Sequence, residues 1–253
     1  MNWTQLKTFT TMKKISLFFV FMMMSAFAFT TAAYNDVRGD ANGDGQVSIT
    51  DVTTMIDYLL TGVWPEVQYD YVDMGLPSGT LWATCNVGAH SPEEFGDYFA
   101  WGETEPRDYY AWVTYKWCWG TGDALKKYFF SYDELELEDD AAYVNWGPSW
   151  RMPTHDQFLE LRNNCTWQWV EYNGVIGALV TGPNGKYIFL PAAGDRSGTS
   201  LDNVGSRGYY WSRELSGSTS TAVRLWFMSQ ARNVNDNDRC MGHTVRPVRV
   251  PQD

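Results

Sequence analysis

"IGALVTGPNGKYIFLPAAG", residues 176–194, decides the fold. Two apolar runs rich in strand formers flank Gly182-Pro183-Asn184-Gly185, and Asn-Gly between such runs signals a hairpin. The spacing predicts two antiparallel strands joined at Asn184-Gly185. Outward from it, "GTLWATCNVG" (79–88) reads as an early strand. "GYYWSREL" (208–215), "TAVRLWFMS" (221–229) and "HTVRPVRV" (243–250) read as later ones. One helix stands out, "PTHDQFLELRNN" (153–164), with Thr154 as N-cap, Gln157 closing a capping box, and Phe158 and Leu161 on one face. These elements describe an α+β domain, mostly antiparallel, with few helices.

The chain has 253 residues, enough for one or two domains with a real core. Its apolar share of 44% and charged share of 19% argue against disorder. Lys13 and Lys14 precede the apolar run "ISLFFVFMMMSAFAF", which ends in "TTAA". That pattern is a secretory signal peptide, residues 1–33, with cleavage near Ala33 and no membrane span left after its removal. The leader holds Lys7, Lys13 and Lys14 and no acid, so the exported chain is more acidic than the net charge of −11. Such a surface repels phosphate backbones and anionic membranes, so nucleic acid is a poor partner and none is expected. Export leads to a secreted or cell-surface protein. Cys85, Cys118, Cys165 and Cys240 suit disulfides there, in any of three connectivities, or else buried thiols.

Next comes "GDANGDGQVSITD", residues 39–51. Asp40, Asn42 and Asp44 stand at positions 1, 3 and 5 of a twelve-residue calcium loop, with Gly45 at the sharp turn. Gln46 offers its carbonyl, Ser48 acts through water, and Asp51 closes the loop at position 12. An all-oxygen set of this kind fits a hard cation, so calcium is the expected cofactor. Val52, Met55, Ile56, Leu59 and Leu60 then form one helical stripe, with Thr50 as candidate N-cap and Gly62 as candidate C′ residue. A helix this short needs a partner surface to be stable.

The stretch "GDANGDGQVSITDVTTMIDYLLTG" resembles one repeat of a type I dockerin, within a unit spanning residues 34–64. The resemblance implies calcium binding and a cohesin-like partner. Two departures stand out: no second loop follows downstream, and the family's Ser/Thr recognition pair is Ile49-Thr50 here. Ile56 and Asp57 replace the basic pair usual on the helix. A connector over residues 65–70 leads to the large domain.

Within residues 71–250, six ordered blocks resemble the Fibrobacter succinogenes major paralogous domain. They are "YVDMGLPSGTLWATCNVGA", "GDYFAWGETEP", "WRMPTHDQFLEL", "IFLPAAG", "GYYWS" and "TVRPVRV". That family is abundant in exported proteins of gut Bacteroidetes, and the resemblance implies a C-type lectin-like fold with a long irregular binding region. An animal-type calcium sugar site is not expected: Arg107 follows Glu105-Pro106 where a ligand amide would stand, and Trp-Asn-Asp is absent. The acidic run 133–140 is read as a solvated loop, or as a second cation site through Glu138, Asp139 and Asp140.

Segment 208–242 concentrates aromatics with Asn, Arg and Ser, a composition suited to glycan or extracellular-protein ligands. By the lectin-like resemblance its variable positions are the candidates: Tyr209, Tyr210, Arg213, Trp226, Asn233, Asn235, Asn237 and Arg239. A second reading packs Tyr210 and Trp226 in the core and makes the Asn/Asp run a plain turn. No catalytic constellation is visible around His90, His155 or His243, no G-x-S-x-G elbow occurs, and "GPNGK" is too short for a phosphate loop. Paired carboxylates meeting in space stay open as a hydrolytic alternative. The expectation is a non-catalytic binding protein carrying a calcium unit. Its alternative is an accessory of polysaccharide degradation recruited to a cohesin-type scaffold.

Overall fold

The computed structural model describes residues 48–61, 69–130 and 132–249. The chain divides into two units, Met1–Val67 and Gln68–Asp253. The proposed leader and the loop positions Asp40, Asn42, Asp44 and Gln46 lie outside the described residues. Among those described, no helix is long and apolar enough to cross a membrane.

In the first unit, helix α1 spans Ile49–Thr61. It starts one residue before Thr50, so Thr50 is inside the helix and not its cap. The Ser48 amide donates to Asp51 Oδ2 at 2.6 Å, the return half of a capping box. Asp51 is almost wholly buried, a carboxylate placed where the positive end of the helix stabilises it. The helix exposes Ile56, Leu59 and Leu60, the last at 78%.

The second unit contains β1 (Tyr71–Asp73), β2 (Leu81–Ala83), a 3₁₀ turn (Leu137–Asp139), α2 (Ala141–Trp146) and α3 (His155–Asn164). There follow β3 (Thr166–Tyr172), β4 (Val175–Thr181), β5 (Tyr187–Pro191), β6 (Asp195–Ser197) and β7 (Ser200–Asp202). The last strands are β8 (Gly208–Leu215), β9 (Thr221–Met228), β10 (Ala231–Asp238) and β11 (Val248–Arg249). They form three-stranded sheets ordered β1-β2-β11, β3-β4-β5 and β10-β9-β8, and a two-stranded β6-β7 ribbon, with every strand pair antiparallel.

The opening stretch is the β4–β5 hairpin. Its strands separate after Thr181↔Tyr187, a wider connection than a two-residue Asn-Gly turn. Pro183 and Asn184 occupy the centre of a turn closed by Gly185 N donating to Gly182 O at 3.0 Å, and Gly185 carries the positive φ of 82°. Asn184 Nδ2 donates to Asp73 O at 2.8 Å, pinning the hairpin tip to β1. A Cβ on Gly182 would stand 2.1 Å from Met74 O, so only glycine allows that approach.

Helix α3 carries the predicted capping box. Thr154 Oγ1 accepts from Gln157 N at 3.0 Å, and Thr154 N donates to Gln157 Oε1 at 2.9 Å. Phe158 and Leu161 enter a core with Trp82, Tyr210, Leu225 and Phe227. A second core gathers Trp101, Trp146, Trp150 and Trp211, and Tyr69, within the segment read as a connector, stacks flat on Trp146 with centroids 3.7 Å apart. A third holds Tyr98, Tyr110, Tyr115, Cys118 and Cys240. All four cysteines are buried free thiols. Burial pushes the Cys165 thiol up to about 11 and the Cys240 thiol up to about 12.

Two expectations are corrected by the acidic run and the Asn/Asp run. Asp139 is neither solvated nor open to a cation, because it accepts from Tyr128 Oη at 2.6 Å and Lys127 Nζ at 2.7 Å. Asp140 is equally occupied: it caps α2 through Ala142 N and Tyr143 N and also takes Met152 N at 3.0 Å. Residues 231–238 are no turn but a full edge strand, β10, because backbone pairing to β9 outweighs the poor strand preference of Asn and Asp.

Candidate functional site: an outer sheet face

Residues opposite each other in an antiparallel pair project from the same face. The register sets Tyr209 opposite Trp226 and Trp226 opposite Asn233. The next row is Trp211–Arg224–Asn235, and Asn237 faces Ala222 beyond it. Five predicted residues, Tyr209, Trp226, Asn233, Asn235 and Asn237, therefore share one face of the β8–β9–β10 sheet. The opposite face sends Tyr210, Leu225 and Phe227 into one core, while Trp211 and Ala222 at one end of the shared face are buried in another.

Three predicted residues are elsewhere, and for two of them, Tyr210 and Arg239, the expectation of an exposed contact is corrected. Tyr210 is fully buried, its hydroxyl donating to Pro191 O at 2.8 Å, with burial raising its phenol to about 12. Arg239 is fully buried and stacks on Trp101, Tyr115 and Tyr128. Arg213 sits half-buried within the irregularity in β8, with Nε 3.0 Å from Glu134 Oε2. Tyr209 belongs to the face but is itself mostly covered, at 6% exposure. Trp226 and Asn237 are half-buried, and Asn233 and Asn235 are exposed.

Sequence reasoning missed the residues that organise this face. His243, from the chain's last stretch, packs on it with its ring 4.1 Å from Trp211 and 5.3 Å from Tyr209, centroid to centroid. Arg224 lays its guanidinium 4.6 Å over the Tyr209 ring. Its Nε donates to Asn235 Oδ1 at 3.3 Å, and its Nη1 lies 3.2 Å from His243 Nε2. Asn237 Nδ2 reaches the same imidazole nitrogen at 3.3 Å. Arg207 Nη1 donates to the Tyr209 hydroxyl at 3.3 Å. Nearby Asp195, held by Asn203 Nδ2 at 2.8 Å, has its carboxyl raised by burial. The signal for Arg224 was present: it shares the parity of Trp226 in "AVRLWFM". Without β10 as a strand, that parity had no partner row.

The face can stack an aromatic side chain on a ring and offer amide and guanidinium donors beside it. Burial and the Arg224 charge keep His243 well below the ordinary histidine range. A separate cleft of about 640 Å³ runs along residues 103–116. Arg107 there turns inward to the Glu103 carboxylate and the Thr114 carbonyl. Glu103 also accepts from Lys116 N at 2.8 Å.

No curated protein and no solved structure matches the chain. Residues 38–75 match the family model of the dockerin type I domain, a stretch that takes in α1 and runs past β1.

Proposed function

We propose that this protein is an exported, non-catalytic recognition protein whose β-rich unit is a C-type lectin-like binding domain for glycan or extracellular protein. The observation that carries the reading is the cross-strand row Tyr209–Trp226–Asn233, an aromatic pair continued by an exposed amide. Such a row suits a sugar ring, whose apolar face stacks on an aromatic while its hydroxyls need donors and acceptors. The mostly antiparallel sheets with few helices support the lectin-like reading. The segment at 38–75 is proposed to bind calcium through Asp40, Asn42, Asp44, Gln46, Ser48 and Asp51 and to dock on a cohesin-like partner. The apolar side chains displayed by α1 support that role.

A glycan array probed with the full chain tests the recognition face. Binding that Trp226→Ala abolishes is expected, and silence across the array transfers the role to a protein ligand. The dockerin match favours a second reading, in which the chain is an accessory of polysaccharide degradation held on a cohesin-bearing scaffold. Cohesin capture in calcium and in EDTA decides it: calcium-dependent capture is expected, and its absence removes the scaffold role.

A further inference from the structure

Seven arginines of this unit are buried or half-buried with no carboxylate within 4 Å among the described residues, and three of them, Arg224, Arg239 and Arg246, belong to the recognition face or are fully buried. A cation withdrawn from water is costly unless its donors are satisfied and its charge is answered. Two of the three solve the problem internally. Arg239 gives its donors to Tyr115 Oη at 2.9 Å and to the carbonyls of Thr219 at 2.9 Å and Lys127 at 3.1 Å. Arg246 is saturated likewise, by Asn86 Oδ1 at 2.8 Å and by three carbonyls, of Ala83, Thr84 and Phe189.

Arg224 is different. It meets no backbone carbonyl, and its two hydrogen bonds are long, to side chains of Asn235 and His243. Its Nη2 has no hydrogen-bond partner among the described residues and is not sealed from solvent. Asp195 and Asp236 influence it only from beyond ion-pair distance, and Arg207 opposes them with a like charge. The guanidinium is nonetheless fixed in place by the Tyr209 ring beneath it and by Asn235 and His243 at its edges. A rigid fork with a free end is what a carboxylate recognises bidentately.

We propose that this face binds an acidic saccharide, a uronic-acid unit whose carboxylate seats on Arg224 while its ring stacks on Trp226. The two side chains are same-face neighbours on β9, about 7 Å apart along the strand, so one sugar unit touches both. Asn235 and Asn233, opposite them on β10, face the sugar hydroxyls. The inference rests on the recognition-face reading and adds the charge of the ligand to it.

The test is calorimetric titration of the full chain with three probes: an oligogalacturonate, the same oligomer with its carboxylates reduced to alcohols, and a sulfated oligosaccharide of equal charge. The oligogalacturonate is expected to bind at least tenfold tighter than its reduced form, with affinity falling as salt rises. Arg224→Gln is expected to erase that preference, bringing the oligogalacturonate's affinity down to that of the reduced oligomer. Arg224→Lys, which keeps charge and loses the fork, is expected to retain only part of the preference, and it carries the test should Arg224→Gln fail to fold. Equal affinity for the two oligomers, with both lost in Trp226→Ala, overturns the charge assignment and leaves the recognition face standing. A stronger preference for sulfate overturns the carboxylate. No binding of any probe, or binding indifferent to Trp226→Ala, overturns the face and this inference together.

Discussion

Arg224 Nη1 and His243 Nε2 lie 3.2 Å apart inside the β8–β9–β10 face, a permanent cation against an imidazole. A guanidinium only donates, so Nε2 is the acceptor and the ring proton is on Nδ1, which faces Gly242 O at 3.1 Å. Asn237 donates to the same Nε2. The imidazole is thereby locked neutral, with burial the main cause and Arg224 the second.

The lock makes stability fall in acid. The native histidine resists a proton that the unfolded chain accepts at about its ordinary value of 6.5. Its contribution is complete above pH 6.5 and is lost progressively as pH drops below it, by up to about 1.4 kcal/mol per pH unit. Denaturant midpoints between pH 7.5 and 4.5 measure this, and His243→Gln is expected to flatten the slope. An unchanged slope refutes the lock.

Asp97 acts with the opposite sign. Burial, with the Glu105 charge behind it, raises its carboxyl from 3.8 to about 6, and its Oδ2 has no hydrogen-bond partner. The native state favours the protonated acid, so stability is complete below pH 3.8 and declines as pH rises through 6. Asp97→Asn is therefore expected to gain a few degrees in Tm relative to wild type on going from pH 4 to pH 8. A pH-independent difference in thermal melts contradicts this.

Arg239 is expected to be the most sensitive polar position in the unit. Arg239→Ala strands the carbonyls of Lys127, Tyr128 and Thr219 and removes a cation packed against three rings. A loss of about 3 kcal/mol or more is expected in urea titration. Arg239→Lys recovers little, because an ammonium cannot span those acceptors.

Thr154→Ala removes one half of the α3 capping box and is expected to cost about 1 kcal/mol, with Thr154→Ser recovering most of it. The same urea titration checks the pair.

Local patterns were legible where one rule governed the outcome. Thr154 and Gln157 announced their helix because capping chemistry acts over four residues, and the β4–β5 pair was announced by its breaker residues. The turn itself was less legible, since Gly182 is fixed by Met74, which is over a hundred positions away. β10 went unread for a sharper reason. Asn233, Asn235 and Asn237 alternate with Arg232, Val234 and Asp236, a strand period carried by polar side chains, so the apolar alternation was missing. With that strand unseen, the five of the eight candidate positions that share a sheet face had no geometry, and Arg224 and His243 had no role. Arg239 and Tyr210 look like contact residues in sequence because a buried arginine is indistinguishable from an exposed one until the carbonyls around it are known.

β10 also ends its sheet, leaving one row of backbone donors and acceptors without a neighbouring strand among the described residues. An open border of this kind invites a second molecule to add on and propagate. Side chains of Arg232, Asn233, Asn235, Asp236 and Asp238 crowd that border with charge and amide, exposed to water. The composition that disguised the strand is also of the kind that discourages such addition.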